Sequence, residues 1–152
     1  MRSSIPIGLL ALVLGAGTVT VSAEEPFTPR THVSLRGARW CINGELTNRG
    51  TRAEGLLMNV RMVNSVFEDR RKPDLLPDAI TDRFLARAPD YAAHGVNAFT
   101  LCLQGGMPGY EGALNSAFEP DGSLREPYLA RVARVIEACD REGLVVVLGC
   151  FY

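Results

Sequence analysis

Gly143-Leu144-Val145-Val146-Val147-Leu148-Gly149-Cys150-Phe151-Tyr152 decides the fold. A glycine able to stop a helix is followed by an unbroken apolar run containing three consecutive valines, and β-branched side chains favour extended backbone. A strand that is apolar at every position, rather than at alternate ones, belongs to a parallel sheet covered on both faces. The chain repeats this arrangement. Gly95 opens a second apolar run from Val96 to Leu103, and Gly55 introduces a third, Leu56 to Asn64, of more mixed polarity.

The residues ahead of each glycine have helical periodicity. Before Gly143, a helix with Pro127 in its first turn carries Tyr128, Val132, Val135, Ile136 and Cys139 on one stripe, and Arg131, Arg134 and Arg141 are assigned to the solvent side. Before Gly95, Asp78 to Ala93 places Ile80, Phe84, Leu85, Ala88, Tyr91 and Ala92 on one face. Pro89 predicts two short helices or a kink near Ala88. Gly95 and Gly143 are the expected left-handed stops, with His94 beside a helix C-terminus as a partner of its dipole. Strand, helix, strand, helix, strand is the order of right-handed parallel βαβ units.

The N-terminal part has a different character. Met1 to Ser4 is a short basic segment, Ile5 to about Val21 is apolar, and Val21-Ser22-Ala23 supplies small residues before a cut, so residues 1–23 are expected to be a cleaved signal peptide. The apolar stretch is too short and too interrupted for a confident membrane span, and no Cys follows it for lipid attachment. Export to the periplasm or the extracellular space follows, with no membrane contact after cleavage. Residues 24–54 form an N-terminal extension in which Asn43-Gly44 signals a type I′ hairpin turn, a small lid or floor outside the main sheet. Glu68 to Pro77 reads as a charged, proline-bounded loop.

Composition excludes several functions. The 152 residues carry a net charge of −1 with Lys72 as the single lysine, which gives nucleic-acid binding no electrostatic support. With 47% hydrophobic and 22% charged residues the chain is globular rather than disordered. Four cysteines without a C-x-x-C pair, beside two histidines, predict no metal site, and Gln104-Gly105-Gly106 has the spacing of neither nucleotide-binding loop, so no cofactor is expected. Cys102, Cys139 and Cys150 read as buried thiols. Cys102 and Cys150 each lie seven residues after the glycine opening their strand, so a bridge between them stays open.

Ligands of such sheets meet the loops at the C-terminal strand ends. There the sequence offers Arg61, Asn64, Gln104, Tyr110 and Tyr152, preceded by Asn59: amides, aromatic rings and glycine-rich backbone suited to hydroxyl-rich neutral ligands. Each has an ordinary structural alternative, an ion pair for Arg61 and loop capping for Gln104. Glu111 and Glu119 read as solvated loop carboxylates, and no nucleophile or acid–base pair is present to assign as catalytic.

Trp40-Cys41-Ile42-Asn43-Gly44-Glu45, Gly55-Leu56-Leu57-Met58-Asn59-Val60-Arg61-Met62-Val63, Leu103-Gln104-Gly105-Gly106, Asn115-Ser116-Ala117-Phe118, Asp121-Gly122-Ser123-Leu124-Arg125 and the final Val145 to Tyr152 are similar to exported bacterial cellulase-like proteins. Through them the chain resembles the (β/α)8 glycoside hydrolases of the clan that includes glycoside hydrolase family 5. The resemblance spans most of the chain after the leader but only the N-terminal part of the family domain. It implies an α/β fold, a partial TIM barrel of the first three βα units over residues 55–152, truncated after the third strand and preceded by the small β-hairpin. A complete barrel takes about 250 residues. In that clan the acid/base carboxylate ends the fourth strand and the nucleophile the seventh, so neither maps onto a position here. The implied role is hydrolysis of O-glycosidic bonds in polysaccharides, with a carbohydrate partner and with this chain inactive alone. The alternatives are an exported non-catalytic α/β binding or interaction module, and an α/β enzyme of another kind using Gln104 to Tyr110.

Overall fold

The computed structural model describes residues 27–61, 68–105 and 114–150. The expected leader, Asn64, Tyr110, Glu111 and Tyr152 lie outside the described residues. In chain order the elements are β1 (Val33–Arg36), β2 (Arg39–Ile42), β3 (Glu45–Leu46), β4 (Asn59–Arg61), α1 (Pro77–Leu85), α2 (Ala88–Ala93), β5 (Ala98–Cys102), β6 (Gln104–Gly105), β7 (Asn115–Ser116), α3 (Glu126–Arg141) and β8 (Val145–Gly149). The class is mixed α/β: β1-β2-β3 is a small antiparallel sheet, β4-β5-β8 is parallel, and β6-β7 is a two-stranded antiparallel ribbon.

The helix-stop glycines hand the chain from one layer to the next. Gly95 and Gly143 have φ of 84° and 69°. Val96 N–H donates to Tyr91 O and Gly95 N–H to Ala92 O, while Leu144 N–H donates to Cys139 O and Gly143 N–H to Asp140 O. Both helices thus end in the same Schellman arrangement, in which only a residue tolerant of positive φ fits at the stop. Pro89 divides its segment as expected, with α1 ending at Leu85 and α2 starting at Ala88. His94 closes α2 with its ring Nδ1 2.7 Å from Asp90 O.

The core lies between the parallel sheet and one helical layer. Phe84, Ala88, Val135, Cys139 and Leu144 enclose Phe99 and Leu101 of β5, with Val60 and Val146 packed against them. Phe84 and Tyr91 meet the Phe99 ring edge-on at 5.1 and 5.2 Å, a favoured aromatic geometry. The expectation of strands covered on both faces is corrected here. Sequential strand order with both crossovers of one hand places all the helices on the same side. On the other side Asn59 and Arg61 are exposed, and Val147 is 44% exposed.

The antiparallel sheet is a floor under the N-terminal strand ends. Asn43 and Gly44 have φ of 52° and 82°, the type I′ turn read from the sequence. Strand β1 goes beyond the expected hairpin, and Gly37 at φ 64° in the first central position of a two-residue loop is the signal for it. Thr47 Oγ1 and Asn48 Nδ2 donate to Leu56 O, and Asn48 Nδ2 also reaches Asn97 Oδ1 at 2.8 Å. Gly55 has no substitute: at φ 79°, an added Cβ would stand 2.8 Å from Arg39 Cβ. From the other side, the backbone N–H groups of Arg30 and Thr31 donate to the Asp140 carboxylate, tying the N-terminal segment to the end of α3. Burial pushes Asp140 up, but the donors from Thr31 and Arg30 outweigh it and hold the carboxyl below its ordinary range.

The register resolves the cysteine question. Cys102 pairs with Gly149 rather than with Cys150, and a one-residue offset sends a side chain to the opposite face. All four cysteines are free thiols, three buried and Cys150 exposed. Burial raises the Cys139 thiol to about 12. Alkylation of the native protein followed by mass spectrometry is therefore expected to modify Cys150 rapidly and Cys41, Cys102 and Cys139 slowly. Rapid modification of Cys139 would contradict this packing.

Candidate functional site

The C-terminal edge of the parallel sheet gathers the polar groups that the sequence pointed to. Val60, Phe99, Leu101 and Val146 face the helices. Alternation then puts Asn59, Arg61, Ala98, Thr100, Cys102, Val147 and Gly149 on the helix-free face. Asn59 Nδ2 donates to Thr100 Oγ1 at 2.8 Å. Arg61 ends β4 in register with Thr100 and is exposed. Of the five predicted contact residues, Arg61 and Gln104 stand at this edge; Asn64, Tyr110 and Tyr152 lie outside the described residues.

Gln104 is not in a plain loop, which corrects its sequence reading. It belongs to β6 and pairs with Ser116 of β7. The ribbon is anchored to the sheet, because Leu103 N–H donates to Gly149 O at 2.8 Å and Ala117 N–H to Leu103 O at 2.7 Å. The backbone polar groups beyond β5 thus find partners by folding back on the returning chain. An exposed Gln104 side chain is presented from ordered backbone.

Sequence reasoning missed the group beneath this edge. The Glu68 carboxylate accepts from Arg125 Nη1 at 2.6 Å, Arg125 Nη2 at 3.0 Å and Arg131 Nη2 at 2.8 Å. Arg131, assigned by the sequence to the solvent side, is 4% exposed. The signal was in the spacing: three residues after Tyr128 and four before Val135, it sits on the apolar stripe itself. The guanidinium carbons of Arg125 and Arg131 stand 6.0 and 5.9 Å from the centre of the Tyr128 ring. Tyr128 Oη donates to Cys102 O at 2.9 Å. Burial first, and then the Glu68 charge, push the Tyr128 phenol far above its ordinary range, and the bond to Glu68 raises Arg125 further.

Neighbouring contacts extend the group. Arg125 Nη1 also donates to Ser116 O, and Arg125 Nε stands 3.3 Å from Glu119 Oε1. Glu119, expected to be solvated, is partly exposed and meets Arg70 as well. Asp69 accepts from Arg71 and from Leu114 N–H, and Arg70 N–H donates to Leu114 O at 2.7 Å. The Arg71 guanidinium, followed by the Leu114 amide, holds the Asp69 carboxyl well below the carboxylate range. Arg134, also assigned to solvent, is partly exposed and joins α3 to α1 by pairing with Asp78 and Asp82.

The Glu68 carboxylate is held between the guanidinium groups of Arg125 and Arg131. Among the described residues no group of three or more His, Cys, Asp or Glu could hold a metal ion. Among them, too, no helix is long and apolar enough to cross a membrane. Comparisons of the chain with protein-family models, curated proteins and solved structures find no match.

Two outcomes are expected. Arg131→Ala, which leaves Glu68 buried with half its partners, should lower unfolding stability in urea by about 3 kcal/mol or more, whereas Arg134→Ala on the open surface should cost no more than about 1 kcal/mol. Equal losses would contradict the difference in burial. Asp69 stabilises the fold above the unfolded-state value of 3.8, and this contribution is lost as pH falls from there toward its lower folded-state value. Asp69→Asn should therefore flatten the decline of stability below about pH 4. An unchanged acid limb would contradict the role given to Asp69.

Proposed function

We propose that the chain is an exported, carbohydrate-binding portion of a (β/α)8 barrel of the glycoside hydrolase type, with β4, β5 and β8 as its first three barrel strands. The observation that carries this reading is the sequential parallel order β4-β5-β8 with helices on one face only. A barrel needs its helices outside and its second face turned inward. That second face carries Asn59, Thr100 and Gly149, small or hydrogen-bonding residues suited to a lumen. The floor under the N-terminal strand ends leaves the C-terminal edge, where barrel loops meet their ligands, to Arg61 and Gln104.

In this reading sugars are held at the edge without being cleaved by this chain. The clan draws its acid/base and nucleophile from later strands, and the described residues bring no such pair of carboxylates together. Hydroxyl groups of a neutral oligosaccharide would take hydrogen bonds from Arg61 and Gln104. A self-contained binding module is the second reading, supported by the floor and the Glu68 group, which order both ends of the sheet within this chain.

The test is titration of the purified protein with neutral oligosaccharides, followed by amide chemical shifts. Saturable shifts at Arg61 and Gln104 are expected, with Arg61→Ala and Gln104→Ala each weakening binding by roughly 3- to 10-fold, the worth of one hydrogen bond. No turnover above a vector-only control should accompany binding. The absence of any saturable shift would sink the carbohydrate reading, and genuine turnover would sink the non-catalytic one.

A further inference from the structure

We infer that Glu68 is a latch that joins residues 68–76, which follow β4, and residues 114–125, which precede α3, to α3, so that these two stretches open together rather than separately. This inference does not depend on the carbohydrate reading. Glu68 is contributed by the chain leaving β4, Arg125 by the end of the excursion after β5, and Arg131 by the second turn of α3. One carboxylate therefore joins the segment after β4 to two cations at the start of α3, 57 and 63 residues further along the chain. Glu68 and Arg131 are both at least nine-tenths buried. In such a place charged groups cannot separate without water entering, so the contacts break as a set.

The backbone follows the same lines. Arg70 N–H donates to Leu114 O across the two segments. Ala117 N–H donates to Leu103 O, and Arg125 N–H donates to Ala117 O at 2.8 Å. These three amides report on the rim, while Leu101 in β5 reports on the core. A ligand reaching the edge then meets residues 68–76 and 114–125 already in place, without having to order each stretch.

Native-state hydrogen exchange at low denaturant tests the latch in the unaltered protein. The amides of Arg70, Ala117 and Arg125 are expected to share one opening free energy and one denaturant dependence, lower than those of Leu101. In Glu68→Gln all three should exchange at least about tenfold faster relative to Leu101. Glu119→Gln, which removes only part-exposed pairs, should change them by less than about threefold. Three separate opening free energies in the unaltered protein would overturn the inference. So would acceleration confined to Arg70, or acceleration of Leu101 by the same factor. If Glu68→Gln does not fold, the exchange pattern of the unaltered protein decides alone.

Discussion

The register between β5 and β8 is the constraint on which the rest of the molecule depends. Ala98 pairs with Val145 and Cys102 with Gly149, which sets Phe99, Leu101 and Val146 toward the helices and Thr100 and Val147 away from them. A slip of one residue would send Val145 and Val147 into the helical layer and turn Val146 outward. The helices hold this register from outside. Val135 and Cys139 of α3 close over Phe99 and Leu101, and the turn at Gly143 releases the chain at the point from which Val145 N–H donates to Asn97 O. Strand identity, helix position and the polar face are thus consequences of one alignment.

The two ends of the sheet are held by different physics. At the N-terminal end, uncharged amide and hydroxyl groups of Thr47, Asn48 and Asn97 satisfy backbone carbonyls and each other in a floor built from tight turns. At the C-terminal end, charge does the work. Glu68 between Arg125 and Arg131 replaces hydration by charge-assisted hydrogen bonds, with the Tyr128 ring alongside. Such a group adds little net stability compared with a well-packed apolar core, yet it is costly to break on one side only. It suits a rim that must keep one shape while remaining polar.

Much of this is legible in the amino-acid sequence. The alternation of amphipathic helix, glycine and apolar run predicted α1–α2, β5, α3 and β8, because helix stops and hydrophobic periodicity are local signals. The Asn43-Gly44 turn was legible for the same reason. What escaped were features settled by distant partners. The charge of Arg131 points to water and its place on the stripe points inward, and Glu68, 63 residues away, makes its burial tolerable. Gln104 looks like loop in the sequence because β6 has just two residues and exists through its pairing with Asn115 and Ser116. Counting from the glycines suggested a Cys102–Cys150 alignment, but strand register is chosen by packing on the helices and not by the distance from a turn.

The most direct test of this account is the labelling of two single substitutions made in a Cys150→Ser background. Val146→Cys and Val147→Cys are near in volume to the residues they replace and adjacent in β8, but the register turns them to opposite faces. Thiol labelling of the folded protein should modify the exposed Val147→Cys within about tenfold of the unfolded-chain rate, and the partly buried Val146→Cys, packed against the core, several-fold more slowly than Val147→Cys. Labelling of Val146→Cys as fast as Val147→Cys, or faster, would contradict the register and with it the assignment of the open polar face.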